Sequence, residues 1–146
     1  MHRLLIVALA AWPSLAGAQS VQPGNWALET TYTAVDLPNA PPAVVARLKG
    51  HKTQANRCLS PEQAARGPED MIKGAKGCTL VRYDRKAGKI DAQMVCKDAQ
   101  GTLTTTTTGS YTSSSFNTTA KLVRTGGQRM SMTVETTAKR TGSCSQ

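Results

Sequence analysis

Along most of the chain apolar residues recur at every second position, the period of a half-buried β-strand. Trp26, Leu28, Thr30 and Tyr32 share one face of a strand predicted over 26–35, launched by the turn Pro23-Gly24-Asn25. The segment Leu37-Pro38-Asn39-Ala40-Pro41-Pro42 cannot pair regularly, because proline lacks an amide donor and fixes φ. It reads as a loop, followed by a short helix over 43–49 and a second strand over 51–59. Ser60-Pro61-Glu62-Gln63 then starts a helix that runs to Arg66: Ser60 caps it, Pro61 takes the first helical position, and Gln63 returns the bond three residues later. A further turn is read from Glu69 to Ile72, after which Gly74 and Gly77 release the chain into strands.

Residues 78–84 and 89–97 form a hairpin, with Ile90, Ala92, Met94 and Cys96 on one face. A three-residue loop Lys86-Ala87-Gly88, with Gly88 at a positive-φ position, sets Arg85 opposite Lys89 and so Cys78 opposite Cys96. Pairing Val81 and Tyr83 with Ala92 and Ile90 would bury more apolar area in a register one residue away. The turn chemistry is preferred. The run Thr102 to Thr119 is rich in strand-forming threonine and predicts two more strands around a turn near 110–114. The last hairpin has the clearest pattern: Phe116, Thr118, Ala120 and Leu122 alternate inward, Thr125-Gly126-Gly127 turns, and Met130, Met132, Val134 and Ala138 return in matching parity.

The N-terminus follows a different rule. Arg3, an apolar run from Leu4 to Trp12 and the small-x-small signature Ala16-Gly17-Ala18 read as a cleaved export signal over 1–18, leaving a single mature domain over 19–146. The apolar run is about half the length a membrane-spanning helix needs, so no transmembrane segment is expected. Export makes the compartment oxidising. The four cysteines, Cys58, Cys78, Cys96 and Cys144, are therefore read as two disulfides, Cys78–Cys96 from the hairpin register and Cys58–Cys144 by remainder. No two stand at the two-to-four-residue spacing of a zinc site, and His51 is the one histidine of the mature chain, so no metal is expected.

Setting Arg3 aside leaves seventeen basic residues against nine acids, a mature balance of +8. Such an excess attracts anions, which outside the cytoplasm are lipid phosphates, lipopolysaccharide and acidic glycans; nucleic acid is not expected there. It equally serves solubility. Catalytic chemistry finds no purchase, since His51 sits between Gly50 and Lys52 with no nucleophile elbow elsewhere, and the carboxylates are scattered. No dinucleotide fingerprint or phosphate loop occurs, so neither catalytic residues nor a cofactor are assigned.

Pro23-Gly24-Asn25-Trp26, Cys58-Leu59-Ser60-Pro61-Glu62-Gln63, the Cys78 to Cys96 hairpin and Arg140-Thr141-Gly142-Ser143-Cys144 together resemble the bacterial exported domain of unknown function family 3617. The resemblance covers nearly the whole mature chain and departs in Ala27, where members often carry Glu. It implies a periplasmic or envelope location in a Gram-negative bacterium and no activity.

The fold expected is mainly β: one antiparallel curled sheet or partial barrel of six or seven strands with one short helix, stapled by disulfides. Its concave face would carry Trp26, Leu28, Met94, Leu122, Met130, Met132 and Val134. A ligand face of Trp26, Met94, Leu122, Met130 and Met132 suits a non-catalytic periplasmic binder of an anionic or amphipathic envelope ligand, methionine being adaptable to apolar guests. The alternative is a structural module that pairs with an envelope protein through a strand edge, and for either reading the same residues also make an ordinary core.

Overall fold

In a computed structural model, described over residues 20–66 and 77–144, the chain forms seven strands and two short helices. The strands are β1 (Gly24–Asp36), β2 (Lys52–Leu59), β3 (Cys78–Lys86), β4 (Lys89–Asp98), β5 (Gly101–Tyr111), β6 (Ser115–Thr125) and β7 (Met130–Gly142). Helix α1 (Pro42–Leu48) lies between β1 and β2, and α2 (Pro61–Arg66) follows β2, both where the pattern along the chain places them. The export signal over 1–18 and the turn from Glu69 to Ile72 lie outside the described residues.

All seven strands belong to one antiparallel, unclosed sheet in the order β2-β1-β7-β6-β5-β4-β3. The chain from β3 to β7 is a simple meander, and β1 joins it by pairing with β7. The last hairpin has the register its alternation predicts, with Phe116 opposite Ala138, Ala120 opposite Val134 and Leu122 opposite Met132. Helix α2 starts as its capping box dictates: Ser60 Oγ accepts from Gln63 N at 3.2 Å while Gln63 Oε1 accepts from Ser60 N at 2.9 Å.

The β3–β4 hairpin corrects the expected loop. Its loop has two residues, not three: Lys86 pairs with Lys89, and Ala87 (φ 50°) and Gly88 (φ 74°) form the primed turn that matches strand twist. This sets Tyr83 opposite Ala92 and Arg85 opposite Ile90. A bulge that leaves Val81 unpaired then restores the register in which Cys78 faces Cys96. The bulged Val81 is 58% exposed.

The disulfides are Cys58–Cys144, closing a sequence separation of 86, and Cys78–Cys96, closing 18; no described cysteine is free. Thiol titration of denatured, unreduced protein is expected to find no reactive thiol, and two or more would contradict these bridges.

A buried cluster of Val21, Trp26, Ile90, Tyr111 and Ala138 sits at one end of the sheet, with Leu28, Leu59, Tyr83 and Phe116 packed against it. The rings of Trp26 and Phe116 stack with centroids 5.9 Å apart. They come from strands separated by β7, where Ala138 pairs with both Leu28 and Phe116 and its small side chain leaves room for them. Residues 20–23 cap this end: Gln22 N donates to Ser113 O at 2.8 Å, and Trp26 Nε1 donates to Gln22 O at 3.1 Å.

Candidate ligand-binding face

Antiparallel partners point to the same side of a sheet, so the registers sort every strand residue onto one of two faces. The inner face, defined by the buried Trp26, Ile90 and Ala138, consists of rows running across the strands. Nearest the capped end are Arg57, Trp26 and Arg140, then Ala55, Leu28, Ala138, Phe116 and Tyr111. Next comes a belt of threonines, Thr53, Thr30, Thr136 and Thr118, ending at Gly109. Within it Thr30 Oγ1 and Thr136 Oγ1 lie 3.1 Å apart in a hydrogen bond.

Beyond the belt the face is apolar again. One row holds Tyr32, Val134, Ala120, Thr107, Ala92 and Tyr83; the next holds Val35, Met132, Leu122, Thr105, Met94 and Leu80; the last holds Met130, Arg124, Leu103, Cys96 and Cys78. Apart from Ala92, none of these is buried; all are intermediate in exposure. Among the described residues, the extensive contacts between elements run between neighbouring strands, with a smaller one from α1, which buries no residue, to β1, while α2 buries Ala64.

Of the five residues expected to form a ligand face, Met94, Leu122, Met130 and Met132 therefore stand together in the half-buried rows. Trp26 is on the same face but beyond the threonine belt, buried at 3% exposure and sealed by Phe116 and Gln22. The pattern missed Val35, because a register shift between Tyr32 and Ala34 moves it onto the inner face against its sequence parity. It missed Leu103 too, which stands next to an unbroken threonine run that conceals its partners.

Cations divide by type between the faces with one exception. Arg57, Arg85, Arg124 and Arg140 take inner-face registers, whereas Lys52, Lys86, Lys89, Lys97, Lys121 and Lys139 take outer ones, together with Arg82, which is paired there with Asp91. Planar guanidinium groups stack and bond where lysine would remain a hydrated point charge. Arg85 lies 5.7 Å above the Tyr111 ring, and Arg140 Nε donates to Pro23 O at 2.7 Å. Arg124 Nη1 holds both carboxylate oxygens of Asp98 at 2.9 Å. The Asp98 carboxyl is held below its ordinary range, chiefly by the backbone N–H of Gln100 and further by Arg124. Next to this pair, at the end of the sheet, a depression of about 490 Å³ is lined by Asp36, Val123 and Ser131, which take outer registers, and by Pro38, Arg129 and the inner-face Met130 among others; Arg129 makes no ion pair among the described residues.

The model of one protein family, described as a protein of unknown function (DUF3617), matches residues 21–144. The chain belongs to the DUF3617 family. A relative from Pseudomonas putida, an uncharacterised protein in the lpd-3 5' region, is 31% identical over 120 residues, covering 67% of this chain and 84% of that one. No solved structure matches. In this DUF3617 chain no group of three or more His, Cys, Asp or Glu that could hold a metal occurs among the described residues, and no described helix is long and apolar enough to cross a membrane. His51 is exposed and its carbonyl accepts from Tyr32 N, so it serves the β1–β2 junction.

Proposed function

We propose that this protein is an exported, periplasmic, non-catalytic binder of an amphipathic anion of the cell envelope. The observation that carries the reading is the half-exposed apolar field of Met94, Leu122, Met130 and Met132, left uncovered among the described residues while Trp26 and Ile90 are sealed at the other end. A single sheet gains stability by covering such a field, and flexible methionines suit an irregular acyl guest. The charged group of the ligand would lie beside Arg129, in the loop that leads into the inner-face Met130.

Titration with a fluorescent fatty-acid probe tests this. The protein is expected to bind the probe, and Met94→Gln combined with Met132→Gln, which nearly conserves volume while adding polarity, is expected to weaken binding at least tenfold, about 1.4 kcal/mol. Affinity should also fall as ionic strength passes about 0.15 M, where charge is screened beyond roughly 8 Å. A protein that fails to bind the probe, or a double variant that binds it as well as wild type, would refute the reading.

A further inference from the structure

We infer that the free edge of β2 is a self-pairing interface, where two copies of the chain join antiparallel about a two-fold axis at Ala55. The first observation is topological. Seven strands, each antiparallel to its neighbours, leave the edge strands β2 and β3 running in the same direction, so the antiparallel ladder cannot close through them. Among the described residues both edges stay unpaired, and an unpaired edge is a template for another strand unless it is guarded.

The two edges are treated differently. β3 is kinked by the bulge at Val81 and carries Arg82, Asp84, Arg85 and Lys86, the usual guards against pairing. β2 has none in its middle: its register with β1 runs unbroken from Gly24↔Leu59 to Thr31↔Lys52, residues 52–58 are all exposed, and Thr53-Gln54-Ala55-Asn56 carries no charge and no proline.

The hydrogen-bond phase selects which groups are offered. Tyr32 N donates to His51 O at 3.1 Å, so by antiparallel alternation Thr53, Ala55 and Arg57 bond to β1 and the backbone groups of Lys52, Gln54, Asn56 and Cys58 face away from it. A two-fold axis at Ala55 sets Gln54 against the partner's Asn56 and Lys52 against the partner's Cys58, and each such pair exchanges two backbone bonds. Ala55 meets its own copy at the close, non-hydrogen-bonded position, where Cα atoms approach to about 4.5 Å and a methyl group fits. Like charges are not opposed: Arg57 faces the partner's Thr53, and Lys52 is already bonded to Glu29 at 2.8 Å. An axis perpendicular to the sheet keeps the two inner faces on one side, so pairing makes a continuous apolar face. One strand pair is smaller than a standard interface of about 1,600 Å², so the dimer is concentration-dependent rather than permanent.

Sedimentation equilibrium of the purified full-length protein is the test, with a dimer constant expected between about 1 μM and 1 mM. Gln54→Pro removes an N–H that only the second copy uses, a site where an edge strand tolerates proline. It is expected to weaken the dimer at least tenfold with thermal unfolding unchanged. Independently, Ala55→Cys is expected to link two copies through that position on oxidation, as read by a peptide map. A wild-type protein monomeric up to about 1 mM, a dimer indifferent to Gln54→Pro, no link in the Ala55→Cys variant, or a dimer lost instead in Val81→Lys would each overturn the inference.

Discussion

Replacing Cys58 and Cys144 together by serine is expected to destabilise the protein by about 4–5 kcal/mol, against about 3 kcal/mol for Cys78 and Cys96, from the loop-closure entropy of separations of 86 and 18. The native contacts agree with that order. Cys78 and Cys96 are already opposite each other in a local hairpin whose turn and ladder hold them without the bond. Cys58 is on an edge strand held laterally by β1 alone, and the register brings it beside Asn25, itself opposite Gly142 near the end of β7. Without the bridge, β2 and the C-terminal segment would be tied only through β1. Against a total stability of about 5–15 kcal/mol for a typical domain, the larger loss removes about a quarter or more. Urea denaturation of the two double-serine variants measures it. Equal midpoints, or a greater loss for the 78–96 pair, would show that loop length does not set the order of the two bridges.

Local pattern carries local pairing well. The alternation of Phe116 to Leu122 against Met130 to Ala138 predicts the β6–β7 register because each inward-facing residue would be turned outward by a slip of one. The Ser60 capping box is similarly self-contained, its two bonds joining residues three apart. The β3–β4 hairpin shows where pattern alone stops. A two-residue turn and a bulge at Val81 shift the register in opposite directions, so the Cys78–Cys96 pairing is reached although the expected loop length is wrong. No local rule predicts both, because a bulge leaves no periodic trace beyond one exposed valine. Strand order was less accessible still. The pairing of β1 with β7 joins residues 95 to 117 apart, and neither strand's alternation names its partner. The candidate face inherits these limits: Met94, Leu122, Met130 and Met132 were found by parity, whereas Val35 needed the β1 irregularity and the threonine belt needed the full strand order.

Trp26→Ala is expected to cost about 3–5 kcal/mol, the range for deleting a large buried aromatic side chain. Three contacts put Trp26 in that range rather than among half-exposed residues. Its side chain is sealed to 3% exposure, its ring stacks on Phe116 at 5.9 Å over the small Ala138, and its indole N–H is used by Gln22 O at 3.1 Å. Truncation would open a cavity flanked by Arg57 and Arg140, with only the row of Leu28, Ala138 and Phe116 between it and the polar belt that Thr30 and Thr136 begin four residues along. It would also loosen residues 20–23, whose cap over the sheet end rests on that indole bond together with Gln22 N to Ser113 O and Arg140 Nε to Pro23 O. Trp26→Phe separates the two effects: it keeps most of the packing and loses the donor, for an expected cost of about 1 kcal/mol. Both are read from chemical denaturation midpoints at unchanged slope. An unshifted midpoint for the alanine variant would mean that Trp26 is not an anchor, and its place as a ligand-facing ring beside the methionine field would then have to be reconsidered.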